Sequence, residues 1–128
     1  MILVTGGAYQ GKLNYAKALC PGKEWADGGI CTEQELLSCG GIFRFHSYIE
    51  NRMKEGMTQE ELLYLADTLY RENPEVVVVT DEIGYGIVPA DAFEREYREV
   101  TGRICTRLAS YAAQVHRVIC GVGTVIKG

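Results

Sequence analysis

The chain has 128 residues, 47% hydrophobic and 23% charged, a balance that supports a folded core and excludes a disordered polypeptide. Thirteen Lys and Arg against seventeen Asp and Glu leave a formal net charge of −4, the wrong sign for a nucleic-acid-binding surface. No apolar run approaches the roughly 20 residues of a membrane helix, and Met1 leads into Ile2-Leu3-Val4 with no basic segment ahead, so a single cytoplasmic domain over residues 1–128 is expected, without membrane span or signal peptide.

Residues 1–5 are a short apolar run ending at Gly6-Gly7, the pattern of a buried strand followed by a loop. Leu13, Tyr15, Ala16, Leu19 and Cys20 recur at helical spacing over residues 12–20, and Pro21-Gly22 stops that helix. Residues 24–27 read as a second short strand anchored by Trp25. Thr32 with Glu35 forms a capping box ahead of Leu36-Leu37, and Gly40-Gly41 ends that short helix. Residues 42–54 read as a further helix, closed by Gly56. A second capping box, Thr58 with Glu61, opens a helix over residues 59–72, with Leu62, Leu65, Ala66 and Leu69 on one face and Pro74 beyond its end.

Val76-Val77-Val78-Val79 lies in a strand at 75–80 that shows no alternation, as expected of a strand buried on both faces. Residues 81–89 form a glycine-rich loop, and 91–113 a long amphipathic helix with Gly102 as a point of interruption. Residues 115–120 are another strand, and 121–123 turn into 124–127. Alternating strands and helices predict an α/β fold, a mostly parallel sheet with helices on both faces. The five cysteines are odd in number and lack CxxC spacing, so reduced, packed thiols are expected rather than disulfides or zinc. The two histidines, His46 and His116, are too far apart in sequence to suggest a metal site.

Gly6-Gly7-Ala8-Tyr9-Gln10-Gly11-Lys12 fits G-x-x-x-x-G-K between a strand and a helix, where a phosphate-binding loop belongs. Successive backbone N–H groups there can wrap an anion, the following helix presents its positive end, and Lys12 would reach the outer phosphates. A glycine-rich turn that binds nothing is the competing reading. The next position departs from the pattern. Such loops carry a Ser or Thr whose hydroxyl ligates Mg²⁺, and here the residue is Leu13. Asn14 comes one residue late and is expected to point elsewhere. Phosphate binding through main-chain amides survives this change, whereas metal positioning should suffer. Tyr9 is a plausible nucleotide neighbour. Asp81 and Glu82 stand at the C-terminal end of the buried strand, the edge where open parallel sheets bind ligands. Either could hold Mg²⁺, directly or through water, or orient an attacking hydroxyl; a loop-solvated acid pair is the competing reading.

The stretch Val79-Thr80-Asp81-Glu82-Ile83-Gly84-Tyr85-Gly86-Ile87-Val88-Pro89, the segment Thr101-Gly102-Arg103-Ile104-Cys105-Thr106-Arg107-Leu108-Ala109, Val115, and the ending Gly121-Val122-Gly123-Thr124-Val125-Ile126-Lys127 resemble one known family. They are similar to the C-terminal half of the bifunctional adenosylcobinamide kinase / adenosylcobinamide-phosphate guanylyltransferases. Met1-Ile2-Leu3-Val4-Thr5-Gly6-Gly7-Ala8 with Gly11-Lys12 resembles the start of the same family. The resemblance implies a P-loop NTPase-like fold and a role in cobalamin biosynthesis. Members phosphorylate the aminopropanol hydroxyl of adenosylcobinamide with a nucleoside triphosphate. They then transfer GMP from GTP to that phosphate through a covalent guanylyl-histidine.

Carried over, Gly6, Gly7, Ala8, Tyr9, Gln10, Gly11, Lys12 and Leu13, with Arg103, would hold ATP or GTP. Lys12 and Glu82 would serve catalysis, Asp81 and Asp27 would serve Mg²⁺, and self-association into a homo-oligomer is implied. The chain departs from the family in its middle, where members are longer and carry the guanylylated histidine amid arginines. Only one candidate strand, residues 24–27, separates the first helix from the middle helices, and Asp27-Gly28 looks like the family's later Asp-containing strand end. In that alignment the nucleotidyl histidine has no counterpart. His46, within Phe43-Arg44-Phe45-His46-Ser47-Tyr48, is the remaining candidate, with a packing histidine as the competing reading. Arg44 and Arg52 flank it and could bind phosphate or form the helix's solvated face, and His116 reads as structural. Three functions fit: a compact kinase/nucleotidyltransferase of this family, a non-catalytic nucleotide-binding or assembly protein of the same fold, and a kinase for a different small alcohol.

Overall fold

The computed structural model describes residues 1–83 and 91–128; Gly84 to Pro89 of the glycine-rich loop, and Ala90, lie outside the described residues. In chain order the elements are β1 (Ile2–Gly6), α1 (Lys12–Leu19), β2 (Trp25–Asp27), α2 (Glu33–Leu36), β3 (Gly41–Phe43), α3 (Phe45–Lys54), α4 (Gln59–Glu72), β4 (Val77–Asp81), α5 (Ala92–Tyr111), β5 (Gln114–Ile119) and β6 (Val122–Lys127). The six strands form one sheet in the order β2-β3-β4-β1-β5-β6. All neighbours are parallel except the β5–β6 hairpin.

The unalternating valines are explained by burial on both faces. Val76 and Val78 point into the larger core, with Leu36, Ile49, Leu62, Leu69, Ile104 and Leu108 from the helices. Val77 and Val79 point the other way, onto Val4, Ala16 and Val118 beneath α1. Both anticipated capping boxes are present, Thr32 with Glu35 and Thr58 with Glu61. No helix among the described residues is long and apolar enough to cross a membrane, and all five cysteines are free thiols.

Three sequence expectations are corrected. Residues 42–54 are not one helix: Gly41–Phe43 is strand β3, paired with β2 and β4, and the helix starts at Phe45. The break is made by Arg44 at φ 53°, with no glycine or proline to mark it. Gly102 does not interrupt α5; it faces solvent within a continuous helix. The last turn falls earlier than 121–123. Cys120 and Gly121 both have positive φ, 51° and 75°, the signature of a two-residue hairpin turn, and β6 starts at Val122.

Candidate functional site at the phosphate-loop cleft

The sheet order places β4 beside β1, with Gly6 level with Asp81. Both strands end at the same edge, so the loop after β1 and the acid ending β4 are neighbours by topology alone. Gly6 is required there because a Cβ would lie 2.4 Å from the Val118 carbonyl oxygen on β5. The loop then turns through Tyr9 at φ 61° and Gly11 at φ 83° before α1 begins at Lys12. Its far side is tied to the β5–β6 turn: the Gln10 carbonyl accepts from Gly121 N–H at 2.8 Å, and Gln10 Oε1 accepts from Cys120 N–H at 2.7 Å. Ala8 and Tyr9 are exposed at its tip.

Lys12 is buried, and its Nζ donates to the Gly7 carbonyl and pairs with Asp81 Oδ1, both at 2.7 Å. His46, in the first turn of α3, meets the same acid. Its Nδ1 accepts the Asp81 main-chain N–H at 3.0 Å, so the ring proton sits on Nε2, which lies 3.4 Å from Asp81 Oδ2. Tyr97 from α5 donates its hydroxyl to the His46 carbonyl at 2.9 Å. Burial, opposed by the Asp81 charge, holds the imidazole pKa below its ordinary value and favours the neutral ring. A neutral ring with one nitrogen accepting and the other protonated offers no spare lone pair to a phosphorus atom.

Glu82 turns the other way. Its N–H donates to the Gly6 carbonyl at 2.8 Å, while its carboxylate receives Arg117 Nε and Nη2 from β5 at 2.8 and 3.1 Å. The pair bridges the strand ends beside the loop. Asp27, at the end of β2, accepts from Arg44 Nε and Nη2 at 2.8 and 2.9 Å and from Gly29 N–H at 2.8 Å. The Arg44 hydrogen bonds hold its carboxyl below the usual carboxylate range. Expected as a metal residue, Asp27 instead has both oxygens committed to a guanidinium. Arg103, expected near the nucleotide, is exposed on α5, bonded to Gln59 and Glu99, and lines a separate groove with Leu63 of α4. The structure does not bring it to the loop.

A cleft of about 270 Å³ opens over the loop, lined by Tyr9, Gln10, Gly11, Lys12, Leu13, Asn14, Phe43, Arg44, Val79 and Asp81. Asn14 lines the cleft beside Leu13. Among the described residues no three His, Cys, Asp or Glu side chains converge as a metal cage. The sequence reading missed Arg117, which no motif marks, and did not connect the core residue Tyr97 with His46. It left Arg44 undecided, since the apolar residues around it read as one helix.

A family model for cobinamide kinase / cobinamide phosphate guanyltransferase, CobU, matches residues 31–126. The bifunctional adenosylcobalamin biosynthesis protein CobU of Salmonella typhimurium is 38% identical over 73 residues, which are 57% of this chain and 40% of that protein. The protein of the same name from Escherichia coli is 43% identical over 53 residues, 41% of this chain and 29% of that protein. The aligned part spans less than half the length of either relative. With most of its length matched by the family model, on a sheet whose first strand–helix junction carries the glycine-rich loop, the chain belongs to the CobU family, whose fold is of the P-loop kind.

Proposed function

We propose that this chain binds a nucleoside triphosphate, ATP or GTP, on the 6–12 loop and transfers its terminal phosphoryl group to the hydroxyl of adenosylcobinamide in cobalamin biosynthesis. One observation carries the reading: the buried Lys12 ammonium, at a strand–loop–helix junction, lies 2.7 Å from the acid that ends the adjacent strand. In the reaction the acceptor oxygen bonds to the terminal phosphorus. The bond to the bridging oxygen breaks, and the nucleoside diphosphate leaves with the electron pair. Lys12 and the loop amides neutralise the phosphate charge, and Asp81 takes the hydroxyl proton. Mg²⁺ would normally be held here by a hydroxyl after the lysine together with the strand-end acid. Leu13 supplies no oxygen and Asp27 is committed to Arg44, so the residues present do not match that donor set, and no step is routed through a metal.

His46 is engaged by Asp81 through both ring nitrogens, so no guanylyl-histidine step is assigned to it. The exposed apolar Val122, Val125 and Ile126 on β6 support self-association, and a cytoplasmic setting goes with the same reading. Calorimetry with ATP and GTP tests binding, and adenosylcobinamide-dependent release of ADP or GDP tests transfer. No binding of either nucleotide at millimolar concentration overturns the reading. Leu13 favours a second reading, a non-catalytic nucleotide-binding or assembly protein of the same fold. Tight binding without adenosylcobinamide-dependent turnover would select it.

A further inference from the structure

Arg44 is an exposed side chain of this cleft that is held by an ion pair with Asp27. Its backbone is left-handed at φ 53°, a conformation that non-glycine residues adopt rarely and often at functional sites. The turn after β2 packs closely against residue 44. A Cβ on Gly28 would stand 2.3 Å from the Arg44 carbonyl oxygen, and one on Gly29 would stand 2.2 Å from Arg44 Nη2. Asp27 then grips the guanidinium through Nε and Nη2 at 2.8 and 2.9 Å. A guanidinium has five N–H donors, so this pair leaves the Nη1 group outside it. The side chain stays half exposed and lines the same cleft as Lys12, Leu13 and Asp81. A merely solvated arginine needs neither a left-handed backbone nor a two-point grip on its guanidinium by a strand-end carboxylate.

We infer that Arg44 is a second phosphate-binding cation, fixed by Asp27 as a positioning residue, which contacts the terminal phosphate beside Leu13, where a metal-holding hydroxyl is lacking. The inference rests on the reading of the 6–12 loop as a nucleoside triphosphate site. Guanidinium–phosphate bonds are charge-assisted and directional, so Arg44 serves triphosphate over diphosphate and makes binding less dependent on Mg²⁺.

The test is calorimetry with ATP, GTP, ADP and GDP, in Mg²⁺ and in EDTA, on the wild type, Arg44→Asn, Asp27→Asn and the double variant. Asparagine tolerates the left-handed backbone, so Arg44→Asn keeps the start of α3. The expected result is a loss of triphosphate affinity of about tenfold or more in Arg44→Asn, with diphosphate affinity unchanged. In the wild type, EDTA should weaken triphosphate binding less than about threefold, since the cation is the protein's own. Asp27→Asn should weaken triphosphate binding too, but have no further effect in the Arg44→Asn background, an outcome that general destabilisation would not produce. Wild-type binding left intact by Arg44→Asn, or abolished by EDTA, overturns the inference and leaves the loop reading standing. No triphosphate binding by the wild type in either condition overturns the loop reading and this inference together.

Discussion

The Lys12 ammonium and the Asp81 carboxylate meet at 2.7 Å across the ends of β1 and β4, so a phosphate group that takes Lys12 must compete with Asp81. Asp81→Asn removes that competition while also removing the proton acceptor. The expected outcome is nucleotide affinity raised by about threefold to tenfold, with phosphoryl transfer lowered by about a hundredfold or more, read by calorimetry and a coupled kinase assay.

Gly6 faces the Val118 carbonyl, and Gly6→Ala would place a carbon 2.4 Å from that oxygen. Neither partner is a flexible side-chain end, so β1 and β5 must part. Urea unfolding should show a loss of about 2 kcal/mol, and nucleotide binding should fall with it.

His46 is held neutral chiefly by burial, with a pKa below the ordinary 6.5. The unfolded chain therefore takes up more protons at this group as pH falls through about 6.5, and the fold loses stability on that side. His46→Asn, whose side-chain oxygen can still accept the Asp81 N–H, should flatten the stability profile between about pH 7.5 and about pH 5. The carboxyl of Asp27, depressed by its Arg44 hydrogen bonds, acts in a separate window, below the ordinary 3.8. Urea midpoints across this range check the expectation. An unchanged slope would show that His46 is not the group responsible.

Leu13→Ser restores an oxygen at the position after the lysine. Nucleotide binding should become more dependent on Mg²⁺, and turnover should rise by about tenfold. The half-buried leucine's apolar contacts are lost, at a cost to stability of about 1 kcal/mol.

The sheet was legible because its centre is written in composition. The valine run of β4 and the opening apolar run of β1 leave little choice but buried strands, and the glycine-rich loop fixes where one of them ends. The three-residue β3 was not legible. Ile42 and Phe43 merge into the apolar pattern of Phe45, Tyr48 and Ile49, and the kink falls on an arginine that carries no turn signal. Within the site, Lys12 and Asp81 follow from motif and topology. The pairing of Asp27 with Arg44 joins residues 17 positions apart through a parallel strand pair that the pattern did not reveal. Arg103 runs the other way: a residue expected near the nucleotide from a matching segment lies on a helix face turned toward Gln59.

Gln10 grips the main chain of the β5–β6 turn twice, at Cys120 and Gly121. Any travel of the loop tip must either carry that outer hairpin with it or break both bonds. Backbone amide exchange at Cys120 and Gly121 thus reports, from the far side of β1, how firmly the loop is closed.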